Sequence, residues 1–118
     1  NTIKWKHKKK LPKYKKLKGA ERSVNKEDAL VYGCGNYFRD NEKKIVDRCN
    51  IVGLVDKSKK GWYAGKKIVP LEEINTFDYD VIIVMIYDKD EGEKIREQLC
   101  KIYEIPYHKV LLGRDLFI

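Results

Sequence analysis

The stretch ALVYGCGNYF, residues 29 to 38, decides how the rest of the chain is read. Its first five residues are apolar and end on a glycine, the pattern of a short strand buried on both faces. Gly33 and Gly35 then frame one small residue, Cys34, before the polar Asn36. Asn36 is a good helix cap. Phe38, Ile45, Val46 and Cys49 follow at helical spacing among mostly charged residues, so a helix is expected from Asn36 through about Cys49. A strand turning sharply into a helix near Tyr37 would aim the backbone N–H groups of residues 34 to 38 at one point, which makes an anion site. Gly33 permits the turn, and Gly35 lets a phosphate approach the main chain with no Cβ in the way.

Working outward, IVGLV (51 to 55) is a second buried strand closed by Asp56, which stands 21 residues after Gly35. In a nucleotide-binding strand–helix–strand unit, a carboxylate at this place accepts hydrogen bonds from ribose hydroxyls. Phe38 departs from that pattern, because the third glycine of the dinucleotide fingerprint serves close packing of helix on strand. Its ring must either push the helix outward or turn into the core. A narrowed diphosphate pocket argues more against NAD than against a nucleotide of some kind. Lys57, Lys59 and Lys60 would pair with an extra phosphate on the ribose or with a diphosphate, or they are a solvated loop, the favoured reading for a charge run. Trp62 and Tyr63 would stack on a base or cover the sheet edge, and both readings stand.

Beyond Asp56, residues 56 to 65 read as a polar, glycine-containing loop. KIV (67 to 69) makes a short third strand, and Pro70 in PLEEI suits a helix start. DVIIVMI (80 to 86) is a long apolar strand. EGEKIREQLCKIY (91 to 103) is an amphipathic helix with Ile95, Leu99 and Ile102 facing in, ended before Pro106. KVLLG (109 to 113) is the last strand. Apolar strands alternating with helices imply an α/β domain, a doubly wound parallel sheet of about five strands. With right-handed crossovers the expected order is 3-2-1-4-5, the crevice lying between the C-terminal ends of the first and fourth strands. Ile86, Tyr87 and Asp88 would sit on its rim. Met85 and Ile86 belong more naturally to the core, leaving Tyr87 to face a ligand.

The chain has 118 residues, the size of one domain, and its net charge of +8 is unevenly placed. Residues 1 to 28 hold 11 Lys/Arg against 3 Asp/Glu, and residues 29 to 118 hold 15 of each. A folded nucleic-acid reader carries its basic stripe on the domain itself, so nucleic acid is disfavoured as a partner. Residues 1 to 28 are expected to be a basic linker or tail, with a short helical turn in residues 20 to 28. Contact of the tail with an anionic membrane surface or RNA is its functional alternative. The domain proper is expected over residues 29 to 118. Opening on Asn1 rather than Met suggests a piece of a longer protein.

Cys34, Cys49 and Cys100 are odd in number and far apart, with only His7 and His108 to join them. That fits neither a zinc site nor a disulfide framework, and reduced thiols fit a cytoplasmic setting. No run of 18 apolar residues is present to span a membrane. Cys34 sits where a helix N-terminus would stabilise a thiolate, but no partner base is near in sequence, so packing is its expected role. His108 follows Pro106 in a turn and is expected to have a surface or capping role. Tyr14 with Lys18 and Tyr63 with Lys67 repeat a reductase-type spacing, the first in the tail and the second across Gly65, where no helix would align them. Catalysis by these residues alone is not expected.

Taken in order, VYGCGNYF, IVGLVDKSKKGW, KKIVPLEEI, YDVIIVMI and IPYHKVLL resemble the small Rossmann-like, CoA-binding-like modules of bacterial surface-polysaccharide proteins. Such modules occur in nucleotide-sugar epimerase/dehydratases and beside sugar or phosphocholine transferases. The resemblance covers residues 29 to 113 and implies phosphate-loop roles for Gly33 and Gly35 and a ribose role for Asp56. Departures are Phe38 and the missing sugar-processing half. The expected cofactor is NAD(P) or a nucleotide-sugar, held by Gly33, Cys34, Gly35, Asn36, Tyr37, Phe38, Asp56, Lys57, Ile86 and Tyr87. Expected partners are that nucleotide, a neighbouring catalytic domain in the parent chain and a second copy of the domain. A fragment of an epimerase/dehydratase-type oxidoreductase, or a docking domain whose site has lapsed, are the alternatives.

Overall fold

The computed structural model describes residues 25 to 117. Strand β1 (Glu27–Tyr32) leads into helix α1 (Asn36–Arg48), strand β2 (Cys49–Val55) and a hairpin of β3 (Gly61–Tyr63) and β4 (Lys66–Val69). A 3-10 turn (Leu71–Thr76), strand β5 (Val81–Val84) and helix α2 (Lys89–Ile102) follow, then a second 3-10 turn (Tyr107–Lys109), strand β6 (Val110–Leu112) and the one-turn helix α3 (Gly113–Leu116). The fold is α/β with one six-stranded, mostly parallel sheet in the order β3-β4-β2-β1-β5-β6.

Alternation along β1 divides the interior into two cores. Leu30 and Tyr32 point to the face where Ile82 and Val84 of β5 meet Ile74, Ile95 and Leu99. Ala29 and Val31 point to the other, under Phe38 and Ile45 of α1. Successive strand side chains leave opposite faces, so a strand covered on both sides must be apolar throughout. That is why residues 81 to 84 are all buried. Each fully buried Ile or Leu contributes roughly 1.5–3 kcal/mol of transfer free energy.

Pairing between β1 and β2 slips once: Ala29 lies opposite Ile51 but Leu30 opposite Gly53, leaving Val52 as the extra residue of a bulge. A Cβ on Gly53 would stand 2.6 Å from both the Leu30 and Phe77 side chains. Any larger residue would force Leu30 and Phe77 to shift.

The sheet departs from the expected parallel order 3-2-1-4-5 by one strand. Residues 61 to 63, expected as loop, pair antiparallel with β4 and add an edge; the other five succeed one another as β4-β2-β1-β5-β6. The hairpin closes through Ala64 and Gly65, both at positive φ (53° and 80°), as in a two-residue type I′ turn. Ala64 disguises that turn, since alanine is seldom placed there.

Several boundaries also move. Glu27 and Asp28 belong to β1 rather than to a helical turn in the tail. Their polarity conceals a strand end in which the Asp28 amide donates to Asp80 Oδ2 at 2.8 Å and Asn50 Nδ2 donates to Asp28 Oδ1 at 3.3 Å. Gly113 starts α3 instead of ending the last strand, because its bare Cα packs against Met85 and the Val84 carbonyl. The expected β5 of 80 to 86 is cut to four residues. Ile102, expected to face in, is 64% exposed at the last position of α2. Of the basic segment, residues 1 to 24 lie outside the described residues. Among the described residues no helix is long and apolar enough to cross a membrane.

Candidate functional site

The turn after β1 is sewn to both neighbouring strands. Gly33 N–H donates to the Val55 carbonyl at 2.9 Å, and Met85 N–H donates to the Tyr32 carbonyl at 2.7 Å. Gly33 adopts φ 100°, and a Cβ on it would meet the Met85 carbonyl oxygen at 2.8 Å. Conformation and space therefore both demand glycine. Gly35 differs. It caps α1 with φ −88°, which any residue adopts, and among the described residues a Cβ there would touch only Lys59 Cε at 3.9 Å. Nothing among the described residues requires glycine at 35.

Asn36 is the first residue of α1 rather than its cap; the helix starts one residue early, and no side chain caps it among the described residues. The amides of its first turn thus have no cap from a side chain of the described residues. Arg39 N–H closes the first helical bond onto the Gly35 carbonyl at 3.1 Å.

Asp56 faces the turn. Its Oδ2 accepts from Cys34 N–H at 2.7 Å, and its Oδ1 accepts from Ser58 N–H at 2.8 Å and Lys59 N–H at 2.9 Å. Burial would raise this carboxyl, but the amides of Lys59, Cys34 and Ser58 and the Lys59 charge together outweigh it and hold it below its ordinary value. Three amides fill three of the roughly four acceptor positions of a carboxylate. Asp56 therefore pins the glycine turn to β2 and keeps about one position for anything else. The Asp-x-Ser-Lys turn that supplies two of those amides is an Asx-type loop. It was legible in the sequence and was not among the expectations.

Cys34 is fully buried, with Sγ 3.7 Å from the Val55 carbonyl. Burial and then the Asp56 charge push its thiol up to about 12. The helix N-terminus does not make a thiolate here, and the residue acts as a small packing group. Phe38 is 1% exposed and packs edge-to-face on Tyr63 with ring centroids 5.7 Å apart. Of its two expected positions it takes the core, in one cluster with Ala29, Val31, Cys34 and Ile45.

On the far rim, Tyr87 is 66% exposed and meets Tyr37 edge-on at 5.5 Å. Arg114, which carried no signal in the sequence, lies 5.1 Å over the Tyr87 ring and donates from Nη1 to the Tyr87 carbonyl at 2.7 Å. Ile86 is half-buried beneath Gly33, its Cδ1 3.2 Å from where a Cβ on that glycine would stand. Asp88 is used as the cap of α2, accepting from Glu91 N–H at 3.1 Å. The structure thus gathers Gly33, Cys34, Gly35, Asp56, Tyr37, Ile86 and Tyr87 at the C-terminal edge of β1, β2 and β5. Lys57 is exposed beside them, and Phe38 belongs to the core below.

The family model described as C2185-like, N-terminal matches residues 25–111. The chain belongs to that family. The matched span opens just before β1 and closes within β6, so the family's domain includes the glycine turn, Asp56 and Tyr87 and leaves Arg114 outside. No curated protein matches the chain.

A cavity of about 460 Å³ lies elsewhere, between α1, β2 and the β3–β4 hairpin. Val46, Ile51, Leu54 and Tyr63 line it, and of the expected site residues it touches only Phe38. It arises because a hairpin, not a helix, connects β2 to β4, leaving this flank of β2 half covered; Val46, expected in the apolar stripe, is 45% exposed there.

Proposed function

We propose that this domain is a Rossmann-like nucleotide-binding module that holds NAD(P) or a nucleotide-sugar at the turn after β1, as part of a larger enzyme of bacterial cell-surface polysaccharide synthesis. The observation that carries the reading is Gly35. It is a glycine that the described residues do not need, set at the uncapped start of a 13-residue helix with only Lys59 near it among them. A phosphate approaching the first-turn amides gives that glycine a purpose. Asp56 in contact with the same turn, and helices on both faces of parallel strands, support the reading. The resemblance to surface-polysaccharide modules supports the biological setting. A family described as N-terminal suits a module that precedes other parts of a longer protein.

Titration calorimetry with NAD, NADP, CoA and UDP-sugars tests this. One of them is expected to bind, and Gly35→Ala is expected to weaken that binding at least ten-fold while changing stability by less than about 1 kcal/mol, alanine being a poorer cap than glycine. Equal affinity in Gly35→Ala would remove the proposal. A second reading, a docking domain with no ligand, is favoured by one observation: Asp56 is already bonded to three amides of its own chain. Absence of heat with all four ligands would select it.

A further inference from the structure

Positive charge in the folded domain is concentrated in residues 57 to 67, the loop after β2 and the hairpin that follows it. Residues 25 to 117 carry 16 Lys/Arg against 17 Asp/Glu. Five of those bases, Lys57, Lys59, Lys60, Lys66 and Lys67, fall within residues 57 to 67, which contain no acid. The remainder has 11 bases against 17 acids. Among the described residues none of the five is in an ion pair. Trp62 stands in their midst, 71% exposed on the outermost strand. It lies opposite Lys67, so the two side chains leave the same face of the hairpin.

We infer that the β3–β4 hairpin is a docking surface for an anionic lipid bilayer, with Trp62 seated at the headgroup level and the lysines over the charged lipid. A tryptophan ring favours the membrane–water interface, and clustered lysines are attracted to anionic lipid. A single-stranded nucleic acid fits less well for three reasons. It needs successive aromatic rings to stack on, but Tyr63 is engaged by Phe38, by the Arg39 guanidinium at 4.7 Å and through its hydroxyl by Glu42 at 2.6 Å. All five bases are lysine, which lacks the fork that reads phosphate or base bidentately. Beyond the hairpin the described residues are net acidic and offer no track for a long polyanion. An added strand is disfavoured as well, since β3 is only three residues long and follows directly on Lys60. The acidic remainder would be repelled by the same bilayer, so docking is hairpin-first.

The test uses the full chain with Trp5→Phe, which leaves Trp62 as the sole tryptophan. Vesicles of equal parts phosphatidylcholine and phosphatidylserine are expected to shift Trp62 emission to the blue and shield it from aqueous quencher. Pure phosphatidylcholine vesicles are expected to do neither. Lys60→Gln and Lys67→Gln are each expected to weaken binding roughly five-fold at low salt, with unchanged circular dichroism. Sedimentation with the vesicles while Trp62 emission stays fixed would place contact in residues 1 to 24 and overturn the inference. So would failure to sediment, or quenching of Trp62 by polyuridylate at concentrations below those needed for lipid.

Discussion

Asp56 shows how much one residue decides. Its carboxylate joins the turn after β1 to the loop after β2 through three amides. Asp56→Asn puts an amide donor against at least one of those donors, and loss of a hydrogen bond typically costs about 0.5–1.5 kcal/mol. The sign of the pH dependence follows from the depressed carboxyl. A group held below its ordinary value of 3.8 stabilises the fold fully above that value and loses its contribution as pH falls through the lower folded value. Denaturant unfolding should therefore separate wild type from Asp56→Asn most widely near neutral pH. The gap should narrow below about pH 3.8; a gap constant down to pH 2 would show that the charge plays no part. Gly33 and Asp56 were legible in the sequence because backbone chirality and carboxylate chemistry allow few substitutes there. That Asp56 spends most of its acceptors on its own chain was not legible, since it depends on how two loops meet.

Among the elements, those with apolar residues on both faces were readable and those held by geometry were not. β5 needs four apolar residues in a row, and α2 announces itself through Ile95 and Leu99. Its true start lay in Asp88 and Glu91, three residues apart, a capping signal seven and four residues ahead of Ile95, where the apolar pattern begins. The β3–β4 hairpin failed to register because its turn reads Ala-Gly instead of the customary Asn-Gly. Ala64 holds φ 53°, a conformation that costs an L-residue roughly 1–2 kcal/mol and that asparagine tolerates better. Ala64→Asn is expected to raise stability by about 0.5–1 kcal/mol in denaturant unfolding. A loss of stability would mean that the turn is not of this type. The same variant should also leave the docking lysines in place, since Tyr63 and Lys66 remain paired.

At the level of the whole molecule, one sheet separates two cores that share no side chains yet share every central strand. Ile45 of α1 lies in one and Ile74 of the first 3-10 turn in the other, both fully buried. Neither core survives loss of the sheet, because Leu30 and Val31 are adjacent residues of β1 that face opposite ways. The two layers should therefore unfold in one step, as small single domains usually do. Ile45→Val and Ile74→Val each remove one buried methylene, which typically costs about 0.5–1.5 kcal/mol. Each is expected to lower the denaturant midpoint while leaving the slope unchanged, and circular dichroism and tyrosine fluorescence should report the same transition for both. Non-coincident transitions in either variant would show that the α1 layer and the α2 layer melt separately. In that case a ligand at the turn between β1 and α1 would stabilise only its own layer; with a single transition, occupancy of that turn should protect α2 as well.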